Sequence, residues 1–192
     1  MTTESAAGVV AARLQGPARV DTSYGQDTVD VPRAEWVTAH EVAHELGFTF
    51  FDWLTGVDQL DADEAAGFDV VCHLWSLQRY EHLLLRTRVP GEDAHLATLT
   101  GVFAGASWHE RETFEMFGLT FDGHPHLVPL LLPDGFEGHP LRKDFVLAAR
   151  AAKAWPGAKE PGESDADLGS SPGRRKTRPP GVPDPETWGP RS

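Results

Sequence analysis

Three runs of strand-forming residues follow one another with only turn-like segments between them: FTFFDWLTGVD at 48–58, FDVVCHLWSL at 68–77 and HLLLRTRV at 82–89. Aromatic and β-branched side chains dominate the first two, the composition of a half-buried pleated surface. In the third, Leu83, Leu85, Thr87 and Val89 alternate with Leu84, Arg86 and Arg88, which predicts a strand with one wet face. A sheet built this way hides its other face under helices. Helical spacing appears where that requires it: Trp36 to Leu46 carries apolar residues at 36, 39, 42, 43 and 46, and Gly47 stops the run as a C′ glycine does. TVDVP at 28–32 and ATLTGVF at 97–103 read as further short strands, and a second helix opens at Ala106 or Ser107. The expected class is α+β, a two-layer domain of mostly antiparallel strands with helices on one face and a Pro/Gly-rich C-terminal tail. Its divisions are an N-terminal helix or extension at 1–27, the α+β domain at 28–150, and an extended or disordered tail at 151–192.

The tail follows from composition, since 14 of the 42 residues from 151 to 192 are Pro or Gly and almost no aliphatic side chains accompany them. The body holds the acidity: residues 1 to 150 contain 10 Lys and Arg against 23 Asp and Glu, within a net charge of -12 for the 192-residue chain. That balance argues against nucleic-acid binding, which draws on an excess of cations facing phosphates. A single cysteine, Cys72, leaves no internal disulfide and no four-cysteine zinc or iron–sulfur site. No run of uncharged apolar residues approaches a membrane span, and MTTESAAGVVAARLQG has no basic n-region, so membrane association is expected only through a partner.

HEVAHELG at 40–47 matches the H-E-x-x-H pattern of zinc proteases, in which two histidines one turn apart hold the metal and the glutamate acts on bound water. The longer form of the pattern wants a histidine at position 50, where this chain has Phe50. On a helical wheel the apolar stripe centres near Ala39 and Ala43, and His40 and His44 fall about 95° and 135° away from it. Both are therefore expected on an exposed helix face.

Chemistry-bearing residues are densest from 108 to 145. WHERETFEMFG at 108–118 combines three large aromatics with Glu110, Arg111, Glu112 and Glu115, and Arg111 stands four residues before Glu115, the spacing of an intrahelical ion pair. Two loops then echo each other, FDGHPHL at 121–127 and FEGHPLRKDF at 136–145, each setting Gly-His-Pro behind an acidic residue. Glycine and proline fix the backbone there while histidine offers both a donor and an acceptor. Spacing alone yields no nucleophile with an orienting base and no phosphate-binding glycine loop. A dense, proline-stiffened polar surface is what a docking subunit presents.

WHERETFEMFGLTFDGHPHL together with PDGFEGHPLRKDF resembles the signature of the C subunit of bacterial respiratory complex I, the proton-pumping NADH:quinone oxidoreductase. The similarity extends more weakly back through HLLLRTRV, VCHLWSL and FTFFDWLTGVD, covering about residues 28 to 146. It implies an α+β domain in the peripheral arm on the cytoplasmic side of the cell membrane, docked on the large quinone-site subunit and beside iron–sulfur subunits. The implied role is a cofactor-free part of an electron-transport translocase, with NADH, FMN, iron-sulfur clusters and quinone held elsewhere in the respiratory chain complex. Catalytic and metal-binding residues are not implied in this chain. As interface or signature residues the resemblance marks Trp108, Glu110, Arg111, Glu112, Phe117, Gly118, His124, Pro125, Gly138, His139, Pro140, Leu141, Arg142, Lys143 and Asp144. Under it, HEVAHELGF becomes the helix before the first long strand.

The chain also departs from that family, which usually has Asp at the positions of Glu115 and His126, two arginines at Val128 and Pro129, and often Trp at Phe136. Such departures suit a divergent copy. Two alternatives stand beside this reading: a zinc-dependent hydrolase using HEVAH at 40–44, and the equivalent subunit of a related hydrogenase or ferredoxin-linked membrane complex.

Overall fold

The computed structural model describes residues 5–145; the expected tail at 151–192 lies outside them. Helix α1 (Ala6–Arg13) starts at Ser5, whose Oγ accepts the Gly8 N–H, and leads into a hairpin of β1 (Arg19–Ser23) and β2 (Gln26–Asp30). The hairpin turns at Tyr24 and Gly25, both at positive φ. Helix α2 (Trp36–Glu45) ends at Leu46 and Gly47, the latter at φ +95° as expected of a C′ glycine. Strands β3 (Phe50–Gln59), β4 (Gly67–Ser76) and β5 (Glu81–Pro90) are the three runs read from the sequence, and they pair antiparallel as neighbours. Sheet order is β1-β2-β5-β4-β3, with β2 and β5 parallel. Past β5 come β6 (His95–Ala97), helix α3 (Ala106–Phe117) and β7 (Thr120–Asp122), β6 and β7 forming a small parallel pair. The fold is α+β, with a mixed five-stranded sheet and three helices on one side.

Alternation in β5 sets the two faces. Leu83, Leu85, Thr87 and Val89 are buried beneath the helices, and Leu84, Arg86 and Arg88 are half-buried on the open face. Each open-face arginine is neutralised across the sheet by a forked pair, Arg86 with Asp30 and Arg88 with Asp69. Asp30 raises the Arg86 guanidinium above its usual range against the opposing effect of burial. The covered face holds Trp36, Phe48, Leu54, Phe68, Leu74 and Leu85, all essentially inaccessible. Cys72 lies among them, and burial, with Glu110 adding to it, pushes its thiol far up. No helix among the described residues is long and apolar enough to cross a membrane.

Two expectations are corrected here. ATLTGVF is strand only at its first residue, Ala97; from Leu99 to Phe103 the chain turns tightly, with Val102 and Phe103 both donating to the Leu99 carbonyl. That turn overturns the second expectation, because it lowers Phe103 onto α2 and encloses His40, which is fully buried. The wheel counts a histidine as polar and shows no covering segment. His40 Nδ1 donates to the Trp36 carbonyl at 2.7 Å and its ring lies 4.2 Å from the Trp36 ring, centroid to centroid. His44 is exposed as expected.

The same burial removes HEVAH as an open zinc site. A catalytic zinc keeps a coordination position for substrate, whereas the His40 ring is sealed between Trp36 and Phe103. Among the described residues no three His, Cys, Asp or Glu side chains gather in a metal-holding group. Burial also drives the His40 imidazole down to about 4, partly offset by its bond to the Trp36 carbonyl, so at neutral pH it is an uncharged core residue. Replacing it with Ala empties the space of a packed ring and removes the side-chain bond to the Trp36 carbonyl, which the His40 backbone N–H still partners within α2. We expect His40→Ala to cost about 2–4 kcal/mol in urea unfolding, and His44→Ala to stay within about 0.5 kcal/mol.

Candidate functional site

Helix α3 organises everything from residue 98 to 145. Ala106, Glu110, Thr113 and Phe117 follow one helical stripe at i, i+4, i+7 and i+11, and Glu115, also buried, lies off that stripe on the side covered by the loop near 130. Both carboxylates find donors. Glu110 accepts the Leu99 N–H at 2.7 Å and the Thr98 hydroxyl, holding the turn after β6 to the helix. Glu115 accepts the N–H groups of Leu131 and Leu132, each at 2.8 Å. Burial works to raise the Glu115 pKa, but those amides, that of Leu130 and the charge of Arg111 outweigh it and hold it below the usual range.

The intrahelical Arg111–Glu115 ion pair expected from spacing is not formed as a direct contact. Arg111 instead donates to the carbonyls of Val128 and Pro129, at 2.9 and 2.8 Å, with its guanidinium 5.9 Å from the centre of the Trp108 ring. A guanidinium spreads donors across a plane, and two successive carbonyls satisfy that fork better than one carboxylate a turn away. Arg111 and Glu115 thus clamp the same loop from opposite polarities.

At its C-terminus a helix leaves carbonyls without partners. In α3 the Phe114 carbonyl takes the Gly118 N–H, the Glu115 carbonyl takes His139 Nδ1–H at 2.8 Å, and the Met116 carbonyl takes the Leu141 N–H at 3.2 Å. The second Gly-His-Pro loop is therefore a long-range cap. Gly118 is required twice over: its φ is +78°, and a Cβ there would stand 2.8 Å from His139 Nε2. Downstream, the Lys143 N–H donates to Asp58 of β3 at 2.8 Å, and its ammonium pairs with Asp61.

The first Gly-His-Pro loop is held from the other end of α3. His124 Nδ1 accepts the His126 N–H, which leaves Nε2–H to donate to the Ser107 carbonyl at 3.1 Å. His124 Nε2 lies 3.9 Å from a Glu110 carboxylate oxygen, and both side chains are sealed from solvent.

Of the residues marked from the sequence, Glu110, Phe117, Gly118, His124 and His139 form the fold-keeping set around α3. Trp108, Pro125, Gly138, Leu141, Lys143 and Asp144 are exposed, and Arg111, Glu112, Pro140 and Arg142 are half-buried. Arg142 and Asp144 pair with each other in a fork at 3.0 and 2.9 Å, with Arg142 above the Phe68 ring. Three contributors escape a reading of the sequence as anchors: Thr98, Asp58 and Glu115. Each bonds to a segment distant along the chain, for which one sequence carries no signal.

Burial is the largest influence on Glu110, lifting its carboxyl to about 7 against the Thr98 and Leu99 hydrogen bonds. The folded chain then keeps a proton there that the unfolded chain releases above about 4.5, so this group withdraws stability as pH rises from 4.5 to 7. His40 acts oppositely, withdrawing stability as pH falls from 6.5 toward 4. In Glu110→Gln the first contribution vanishes. The stability of wild type minus variant is expected to fall by up to about 3 kcal/mol between pH 4.5 and 7, read from urea unfolding at stepped pH. A difference independent of pH over that range would show that burial does not raise the Glu110 carboxyl above its unfolded value.

The profile of the family described as "Respiratory-chain NADH dehydrogenase, 30 Kd subunit" matches residues 29–151. The C/D subunit of NADH-quinone oxidoreductase from Yersinia enterocolitica serotype O:8 / biotype 1B is 49% identical over 85 residues, covering 44% of this chain and 14% of that protein. Its counterpart of the same name from Serratia proteamaculans (strain 568) is 48% identical over 101 residues, 50% of this chain and 17% of that protein. The chain thus spans about a sixth of the length of these relatives. Among solved structures, the trypsin-resistant fragment (1-134) of Nqo5 superposes with a TM-score of 0.53 at 30% identity, over 57% of this chain and 89% of that one. A chain of a membrane-bound sulfane sulfur reductase, an archaeal respiratory membrane complex, shares the fold, with a TM-score of 0.63 at 22% identity over 73% of this chain and 83% of that one.

Proposed function

The chain belongs to the family of the respiratory-chain NADH dehydrogenase 30 Kd subunit, and on that premise we propose that it is a structural subunit of the peripheral arm of an NADH:quinone oxidoreductase. It carries no cofactor in this reading. It docks on the large quinone-site subunit beside the iron–sulfur subunits, at the cytoplasmic side of the membrane, and reaches the bilayer only through them. The observation that supports a scaffold role most directly is the use made of the polar side chains around α3. Glu110, Glu115, Arg111, His124 and His139 spend their hydrogen bonds on backbone groups of this chain's own loops and helix, which makes them holders of shape. A catalytic group instead keeps a donor or acceptor directed at a reacting atom.

The outward residues of GHPLRKD, 138–144, then form the contact surface. Arg142 and Asp144 have side chains 30% and 61% exposed, and they neutralise each other. In the isolated chain the pair is worth at most about 1 kcal/mol. Covered by a partner, removal of one member strands the other charge, a loss on the order of 2–5 kcal/mol.

The test is expression of the tagged chain in a cell that assembles the complex, with melting of the isolated chain measured beside recovery of the other subunits. Wild type is expected to bring down cluster-binding and quinone-site subunits from solubilised membranes and, alone, to oxidise no NADH. Arg142→Ala and Asp144→Ala should melt close to wild type yet recover those subunits poorly. Stoichiometric flavin or iron in the purified chain, or no membrane-complex subunits in the pull-down, would overturn the proposal.

A further inference from the structure

Between the end of α3 and the loop it clamps lies a cleft of about 250 Å³, lined by Phe114, Glu115, Pro129, Leu132, Phe136 and His139. It is smaller than the ~300–1,000 Å³ typical of small-molecule sites, and it suits a single side chain. Its walls are fixed in advance. Glu115 holds the amides of Leu131 and Leu132, and Arg111 holds the carbonyls of Val128 and Pro129. The Phe136 N–H closes a turn on the Pro133 carbonyl, with Gly135 at φ +79°.

Charge decides what fits. Asp134 lines the cleft and Glu137 follows next to it; both are exposed, and neither enters an ion pair among the described residues. Nearby cations are already committed, Arg111 to the two carbonyls, Arg142 to Asp144 and Lys143 to Asp61. A cleft lined by Phe114, Pro129 and Leu132, with the Phe136 ring stacked on Phe145 at 6.1 Å yet 39% exposed, and with an Asp134 carboxylate that has no ion-pair partner among the described residues, accommodates a long apolar stem ending in a planar cation.

We propose that this cleft receives one arginine side chain of a partner protein, its stem against Phe114 and Pro129 and its guanidinium stacked on Phe136 and paired with Asp134. Arginine fits better than lysine because a flat, weakly hydrated head both stacks and forks to a carboxylate. The inference rests on the subunit reading for the existence of a partner, while the chemistry of the cleft stands without it.

Two measurements test it. In the first, the full chain at low salt is titrated with N-acetyl-arginine amide and with the neutral isostere N-acetyl-citrulline amide, followed by amide NMR. Weak, saturable shifts at Gly135, Phe136 and Gly138 are expected with the arginine compound, and Asp134→Asn should reduce that affinity about fivefold, the worth of a half-exposed ion pair. Equal response to citrulline, or shifts centred elsewhere, overturns the proposal. In the second, p-benzoylphenylalanine is placed at Phe136 in cells that assemble the complex. The crosslinked partner peptide should carry arginine at or beside the attachment point. A peptide without one, or an assembled complex that gives no crosslink, also overturns it. If the chain enters no membrane complex, the subunit reading fails, and the titration still decides the cleft.

Discussion

The C-terminal turn of α3 is the constraint on which the second half of this protein depends. Its carbonyls at Glu115 and Met116 cannot be satisfied locally, since Gly118 turns the chain away and supplies only the donor for Phe114. Buried backbone groups left without partners cost on the order of 1–3 kcal/mol each. His139 and Leu141 meet that need from more than twenty residues downstream. The loop between them and the helix is then drawn in by Glu115 and Arg111, so that its shape is set by the helix it caps. A loop with few apolar residues buried of its own acquires one conformation this way.

The sheet solves a different problem on its open face. A bulge in β3 between Phe51 and Trp53 lets consecutive residues reach the same neighbour: Asp52 accepts from His73 Nδ1 at 2.8 Å, and Trp53 stacks on the His73 ring. His73 Nε2 then meets His82 Nδ1 at 3.2 Å, and Trp75 stacks on His82. With His73 Nδ1–H committed to the carboxylate, only one proton lies between the two rings. Three strands are tied together by this ladder. The two forked Arg–Asp pairs continue the same face toward β2.

How much of this is legible in the sequence follows the range of each interaction. The β3–β5 runs, the α2 stripe, the Gly47 stop and the start of α3 are readable because period and local capping decide them within a few residues. His40 is misplaced by the wheel because its burial depends on Phe103, which a turn some 60 residues away brings over it. The Arg111–Glu115 pairing fails for the same reason: local spacing permits it, but loop carbonyls and amides from 128 to 132 offer each group better partners. The His73–His82 ladder has a visible trace, since His73 and Trp75 share one face of an alternating strand, but the bulge that aims Asp52 has none. The signature residues are recognisable by resemblance, and their division into inward holders and outward contacts is not.

That division bears on the departures from the family pattern that the resemblance marks at Glu115, Val128 and Pro129. Arg111 bonds to the main-chain carbonyls of Val128 and Pro129, and a carbonyl is present whatever side chain follows it. Exchanging arginines there for Val and Pro removes surface donors while the clamp persists. Glu115 bonds to main-chain amides as well, which every non-proline residue at those positions supplies. Gly118 and His139 have no such freedom, because there the side chain, or its absence, is itself the contact: a Cβ on Gly118 would strike the imidazole that caps the Glu115 carbonyl. Backbone-mediated contacts let a surface change while its frame is kept.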